Sequence, residues 1–113
     1  RAARAGVADK AVDPGYQAIA RLRLAGELMD GKSYDEALKQ LAAPVPKEFE
    51  ALVADRKGDI YLAQGKREEA KAAYQQAWNG FELGSDYRRL VEIKLNAVGV
   101  DPQSLKAPVA SAK

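Results

Sequence analysis

Carboxylate pairs are the residues in this sequence whose types and spacing invite chemistry. Asp35-Glu36 and Glu68-Glu69 are adjacent acids, and Asp55 and Asp59 lie four residues apart. Two carboxylates facing one pocket would serve general acid and base work, as in glycoside hydrolysis. Adjacent residues do not share a helix face, so the first two pairs cannot converge on one substrate. Both also sit where a helix is expected to begin, and acids there complement the positive end of the helix dipole. Asp55 and Asp59 do share a face, where like charges repel mildly. A basic partner would offset them, and so would Arg56, Lys66 or solvent. The chain has no His and no Cys. That removes a Ser-His-Asp triad, a thiol nucleophile, an ordinary zinc or haem site and any disulfide. Gly58 and Gly65 lack the spacing of a phosphate-binding loop. No catalytic, metal-ligating or cofactor-binding residue is expected, and the chain reads as a protein that performs no chemistry.

The elements that would position other kinds of site are legible in the composition. The 113 residues point to one domain, with 47% hydrophobic and 30% charged residues. There are 22 Ala, no Thr, and only 11 Val plus Ile. Ala loses no side-chain entropy in a helix, whereas β-branched residues favour strands. The fold class is therefore all-α. A formal net charge of +2, spread evenly, argues against nucleic acid. No apolar run approaches the roughly 18 residues of a membrane span. A first residue of Arg1 rather than Met suggests a fragment or a processed product.

Helix punctuation is clear along the chain. Asp13-Pro14 reads as an N-cap followed by proline in the first turn. Ile19, Leu22, Leu24, Ala25, Leu28 and Met29 recur at helical spacing, and Gly31 is expected to supply the left-handed residue that ends this helix. Ser33 and Glu36 have the spacing of a capping box. The second helix carries Tyr34, Ala37, Leu38 and Leu41 and stops before Pro44-Val45-Pro46. A third begins near Pro46, carries Leu52, Val53, Gly58, Ile60, Tyr61 and Leu62, and ends at Gly65. A fourth covers Arg67 to about Phe81, with Ala70, Ala73, Tyr74, Ala77 and Trp78 inward. Ser85 caps a fifth, expected to bury Tyr87, Leu90, Val91, Leu95 and Val98 and to point Arg88, Arg89, Glu92 and Lys94 outward. Residues 1–13 read as an N-terminal arm or the remnant of a preceding helix, 14–99 as the folded domain and 100–113 as a flexible tail.

Two of the helix pairs superimpose. Tyr34-Asp35-Glu36-Ala37 lies 33 residues before Arg67-Glu68-Glu69-Ala70. In that register Ala25 falls on Gly58, Leu28 on Tyr61 and Leu41 on Tyr74. Small residues at fixed crossings, with a period of about 34, resemble the tetratricopeptide (TPR) repeat. The small side chains (Ala25 and Gly58, Ala37 and Ala70) let two backbones approach, and the larger ones fill the space around the crossing. The expected architecture is two TPR-like antiparallel helix hairpins plus a C-terminal capping helix.

A narrower resemblance rests on four strings. Residues 20–25 (ARLRLA), 34–38 (YDEAL), 52–60 (LVADRKGDI) and 87–96 (YRRLVEIKLN) resemble the C-terminal part of the YfgM family, ancillary subunits of the bacterial Sec translocon. The resemblance implies a periplasmic TPR-like domain on the inner membrane, attached only through an N-terminal anchor expected outside these residues. It implies SecYEG, a PpiD-like chaperone and exported polypeptides as partners.

In a TPR stack the first helix of each pair lines the concave side. Helical phase puts Ile19, Leu22 and Met29 there from the first pair, and Leu52, Asp55, Asp59 and Leu62 from the second. An open apolar groove of this kind would accept an amphipathic helix or an extended peptide, and Met29 would let it adapt to varied partners. Residues 1–12 or the fifth helix filling the groove is the competing arrangement. The competing function is a self-assembling structural module, a homo-oligomer paired through exposed repeat ends.

Overall fold

A computed structural model describes residues 13–102, and every regular element among them is helical. The expectations for residues 1–12 and 103–113 lie outside the described residues. The chain divides into two compact units between Glu50 and Ala51.

The first unit contains α1 (Pro14–Asp30), α2 (Tyr34–Leu41) and a short 3-10 turn (Lys47–Phe49). Asp13 starts α1 as expected. It is extended, at φ −74° and ψ 164°, and its Oδ1 accepts the Tyr16 N–H at 2.8 Å. This satisfies one of the four amides a helix start leaves without partners. Ala18, Leu22 and Ala25 are buried on α1, and Ala37 and Leu41 on α2. The two helices pack together, with Arg21 Nη1 donating to Gln40 Oε1 at 3.4 Å. Phe49 lays its ring over Gly15, whose missing side chain leaves the room.

The α1–α2 turn differs from expectation in two details. The left-handed residue is Lys32, at φ 66°, while Gly31 stays at φ −86°. Ser33 N–H donates to Leu28 O at 2.8 Å and Lys32 N–H to Met29 O at 2.9 Å. These bonds form a Schellman closure, whose geometry sets the left-handed residue one position later than the glycine. The capping box is also absent, because the Ser33 side chain makes no cap hydrogen bond. Its backbone, at ψ 66°, departs from the extended ψ near 150° at the working cap Ser85. Ser33 must close α1 and open α2 at once, and the closure fixes its backbone away from capping geometry.

The second unit contains α3 (Glu50–Ala63) from its second residue on, α4 (Arg67–Gly80) and α5 (Asp86–Ala97). Schellman closures recur after α3, with Lys66 N–H to Tyr61 O at 2.8 Å, and after α5, with Val100 N–H to Leu95 O at 2.8 Å. Here glycines hold the left-handed position, Gly65 at φ 80° and Gly99 at φ 86°. Helices α3 and α4 run antiparallel and close. Any side chain on Gly58 would overlap the Tyr74 ring, and one on Gly80 would meet the Ala51 Cβ. The partner of Gly58 is thus Tyr74, one turn beyond Ala70. Ala54, Ala70, Tyr74, Ala77, Trp78, Val91, Leu95 and Val98 form one core cluster. Burying a side chain the size of Val91 or Leu95 contributes about 1.5–3 kcal/mol. Val100 packs on this cluster and Pro102 is buried, so the core runs past Gly99 into the start of the expected tail.

The fifth helix departs from its expected orientation. Val91, Leu95 and Val98 are buried, but Tyr87 and Leu90 are exposed. Lys94, expected outward, turns back onto α3. Arg88 sits over Trp78, its Cζ 3.6 Å from the ring centroid, and its Nε donates to Trp78 O at 3.0 Å. A buried stripe only three residues wide leaves the helix edges to amphipathic side chains, which bury their stems and direct the charge to a partner.

Candidate functional site

The seven residues expected in the concave groove divide between the units. In the first, Ile19 is 46% exposed and Leu22 is buried at 9%, with Met29 half-buried. Leu22 sits one turn from Ala18 and Ala25 on the packed face of α1, so it belongs to the core and cannot line an open groove. In the second, Leu62 is 41% exposed and Leu52 is half-buried.

Asp55 and Asp59 are brought together on one cation. Lys94 Nζ donates to Asp55 Oδ1 at 3.0 Å and Oδ2 at 3.2 Å, and to Asp59 Oδ2 at 3.2 Å; Asp59 Oδ1 is 3.1 Å away. The Tyr74 hydroxyl donates to Asp59 Oδ1 at 2.6 Å. The acids therefore find their cation within the second unit. The bonded cation is Lys94, which the sequence reading did not weigh, while the charge of Arg56, which it did, also lowers the Asp55 carboxyl to a smaller extent. The repulsion between acids four apart on α3 becomes a bidentate receptor for an ammonium.

Burial and charge act in opposite senses across this cluster. Burial raises the Asp55 carboxyl above its ordinary value, against the hydrogen bond and charge of Lys94, which lower it. Burial works against the Lys94 ammonium, but Asp55 and Asp59 outweigh it and hold the proton more tightly than usual. The Tyr74 hydroxyl is pushed well up, by burial first and then by its bond to the Asp59 carboxylate. The shifts of Lys94 and Tyr74 favour the protonated donors that bond the acids, whereas the shift of Asp55 works against its ionised form.

A shallow concavity of about 190 Å³ lies at the start of α5, lined by Trp78, Gly84, Ser85, Arg88, Arg89 and Glu92. Its side chains are mixed in charge. Among the described residues, no group of three or more acids is placed to hold a metal ion, and no helix is long and apolar enough to cross a membrane. The arrangement offers charge pairing and apolar contact, the chemistry of binding another chain.

Sequence reasoning missed Lys94 and the outer face of α5. One signal was available for Lys94. It sits beside Leu95 and three residues after Val91, at the edge of the buried stripe, where a long cationic stem gains by lying against apolar surface.

The tetratricopeptide repeat-like domain family model matches residues 1–100. A protein of Neisseria gonorrhoeae (strain ATCC 700825 / FA 1090), named ancillary SecYEG translocon subunit, is 40% identical over 82 residues. The match covers 73% of this chain and 39% of that relative, so the chain spans well under half of the relative's length. No solved structure matches the chain.

Proposed function

Because the chain belongs to the tetratricopeptide repeat-like domain family, we propose that it is a non-catalytic domain that works by protein–protein binding. The resemblance to the YfgM family, drawn from four short strings, is borne out by the family match and by the translocon-subunit relative. We read the chain as the interaction domain of an ancillary SecYEG translocon subunit, on the periplasmic side of the bacterial inner membrane. A PpiD-like chaperone and exported polypeptides are the partners this reading assigns.

The observation that carries the reading is the 40% identity to the relative of that name. The geometry supplies the means. Close helix crossings spend the small residues on packing, which leaves larger apolar side chains exposed on the first helix of each pair. Ile19 and Met29 in the first unit, and Leu52 and Leu62 in the second, remain candidate contacts. Leu22 leaves the contact set because it is buried. Asp55 and Asp59 leave it because Lys94 already occupies them.

Ile19→Asp combined with Leu62→Asp tests these contacts, one in each unit. Both side chains face solvent, so far-UV circular dichroism should stay helical. Capture of detergent-solubilised SecYEG, and of a PpiD-like chaperone, should fall to background. Undiminished capture by a folded double variant overturns the assignment of these contacts.

A further inference from the structure

Three helix-ending turns of this chain repeat one geometry. The N–H groups of Ser33, Lys66 and Val100 close on Leu28 O, Tyr61 O and Leu95 O, each at 2.8 Å. The left-handed residues Lys32, Gly65 and Gly99 are spaced 33 and 34 apart. After the first two turns the chain enters α2 and α4, each of which packs on the helix before it. After the third, Asp101-Pro102 repeats the Asp13-Pro14 pair that opens α1. Helical backbone resumes at Pro102, and Pro102 is fully buried. Helix α5 therefore has the place of α1 and α3, the first arm of a hairpin.

The same register singles out one flank of α5. Ala18, Ala51 and Ser85 are equivalent in it, as are Ala25, Gly58 and Glu92. On α1 these residues are buried. On α3 they face α4, Ala51 toward Gly80 and Gly58 toward Tyr74. On α5, Ser85 and Glu92 instead line the concavity beside Trp78. At 100° per residue they lie about 20° apart, and roughly 160–180° from the Lys94 that bonds α3. The concavity thus has the position on α5 that α4 fills on α3. Glu92 is half-buried and takes part in no ion pair among the described residues. Trp78 buries its Nε1 with no acceptor among the described residues.

We propose that residues 102–113 occupy this seat, returning antiparallel along α5 as the second arm of a third hairpin, with Lys106 paired to Glu92. This arm takes the place of the flexible tail expected from the sequence. Pro102, Leu105 and Lys106 share one helix face by their spacing, so the side that buries Pro102 also carries a leucine and a cation. Residues 103–113 contain two lysines and no acid, which suits the unpaired carboxylate of Glu92. Pro108 ends the helical stretch, as Pro44 follows α2. Six helical and six extended residues reach up to about 28 Å, against roughly 18 Å for the length of α5. Backbone carbonyls of the extended part supply the acceptors that the Trp78 wall lacks. The proposal does not depend on the translocon reading.

The chain has no cysteine and one tryptophan, so a nitroxide on Val109→Cys in the full 113-residue chain reports both docking and place. Its spectrum should be broadened by immobilisation, and the label should remove most of the Trp78 emission at every protein concentration. Lys106→Glu should sharpen the spectrum and restore the emission, and adding Glu92→Lys should reverse both changes. Sharp lines, or broad lines without quenching, overturn the proposal. Quenching that is lost on dilution overturns it as well, because the seat would then hold a second copy. A charge swap that restores nothing overturns the Lys106–Glu92 pair.

Discussion

Residue 58 must be glycine because of the ring it faces, whereas residue 32 would be better served by glycine than by its lysine. Gly58→Ala gains roughly 1 kcal/mol of helix propensity, yet its methyl would occupy the space of the Tyr74 ring. That ring is 1% exposed and enclosed by a close-packed core, so it cannot swing aside cheaply. A net loss of about 1–3 kcal/mol is expected, read from the urea midpoint followed by Trp78 fluorescence. Lys32 sits at φ 66°, where a Cβ meets the backbone. Lys32→Gly should therefore stabilise the α1–α2 turn by about 0.5–1 kcal/mol. Gly31→Ala should be nearly neutral, since its φ is negative and its new methyl would make only ordinary contacts. A large loss at Gly31→Ala with no gain at Lys32→Gly would place the left-handed residue back at 31.

The elements were readable where the controlling chemistry is local. Asp13 and Ser85 cap the helices they precede, and Gly65 and Gly99 end the helices they follow, because each acts within five residues of itself. The inward face of α4 was readable too, since Ala70, Ala73, Tyr74, Ala77 and Trp78 keep one helical phase and all are buried. The Lys94 cluster was not, because its partners lie 35 and 39 residues away, and spacing alone cannot choose among several lysines. That cluster ties α5 to α3 and has a testable pH signature. Tyr74 and Lys94 both have folded values raised above their ordinary 10.0 and 10.5. A group so raised contributes stability that is present below its unfolded value and lost as pH rises past it. The unfolding free energy should hold from pH 7 to about pH 10 and then fall, by up to roughly 1.4 kcal/mol per pH unit for Tyr74, with the thermal midpoint falling alongside it. In Tyr74→Phe the fall should begin later, near the lysine value, and the same onset in both proteins would deny Tyr74 this role. Lys94→Met leaves two acids that are 16% and 27% exposed without their shared cation. Because those acids keep some solvent, the expected cost is about 1–3 kcal/mol, below that of a fully buried pair.

For the whole molecule, the distribution of spent and unspent charge decides how partners are recognised. A repeat period read from Ala25, Ala37, Gly58 and Ala70 fixed which helices pair, but it could not show which polar residues had already found partners. Asp55 and Asp59 share a helix face, as the sequence required, yet both are bonded to Lys94. Charges neutralised at close range inside a fold add little to the field felt by an approaching protein. The formal net charge is only +2, so long-range steering is weak as well. The side chains we propose for contact, Ile19, Met29, Leu52 and Leu62, are apolar, and burying apolar surface is insensitive to ionic screening. Partner capture should therefore change by less than about threefold between 50 and 500 mM NaCl, where electrostatically steered pairs lose far more. Biolayer interferometry of the immobilised chain against solubilised SecYEG across that range measures it. A steep loss of affinity with salt would show that the acidic pair exchanges Lys94 for a cation of the partner. In that case Asp55→Asn with Asp59→Asn should abolish the salt dependence, and Ile19→Asp should leave it intact.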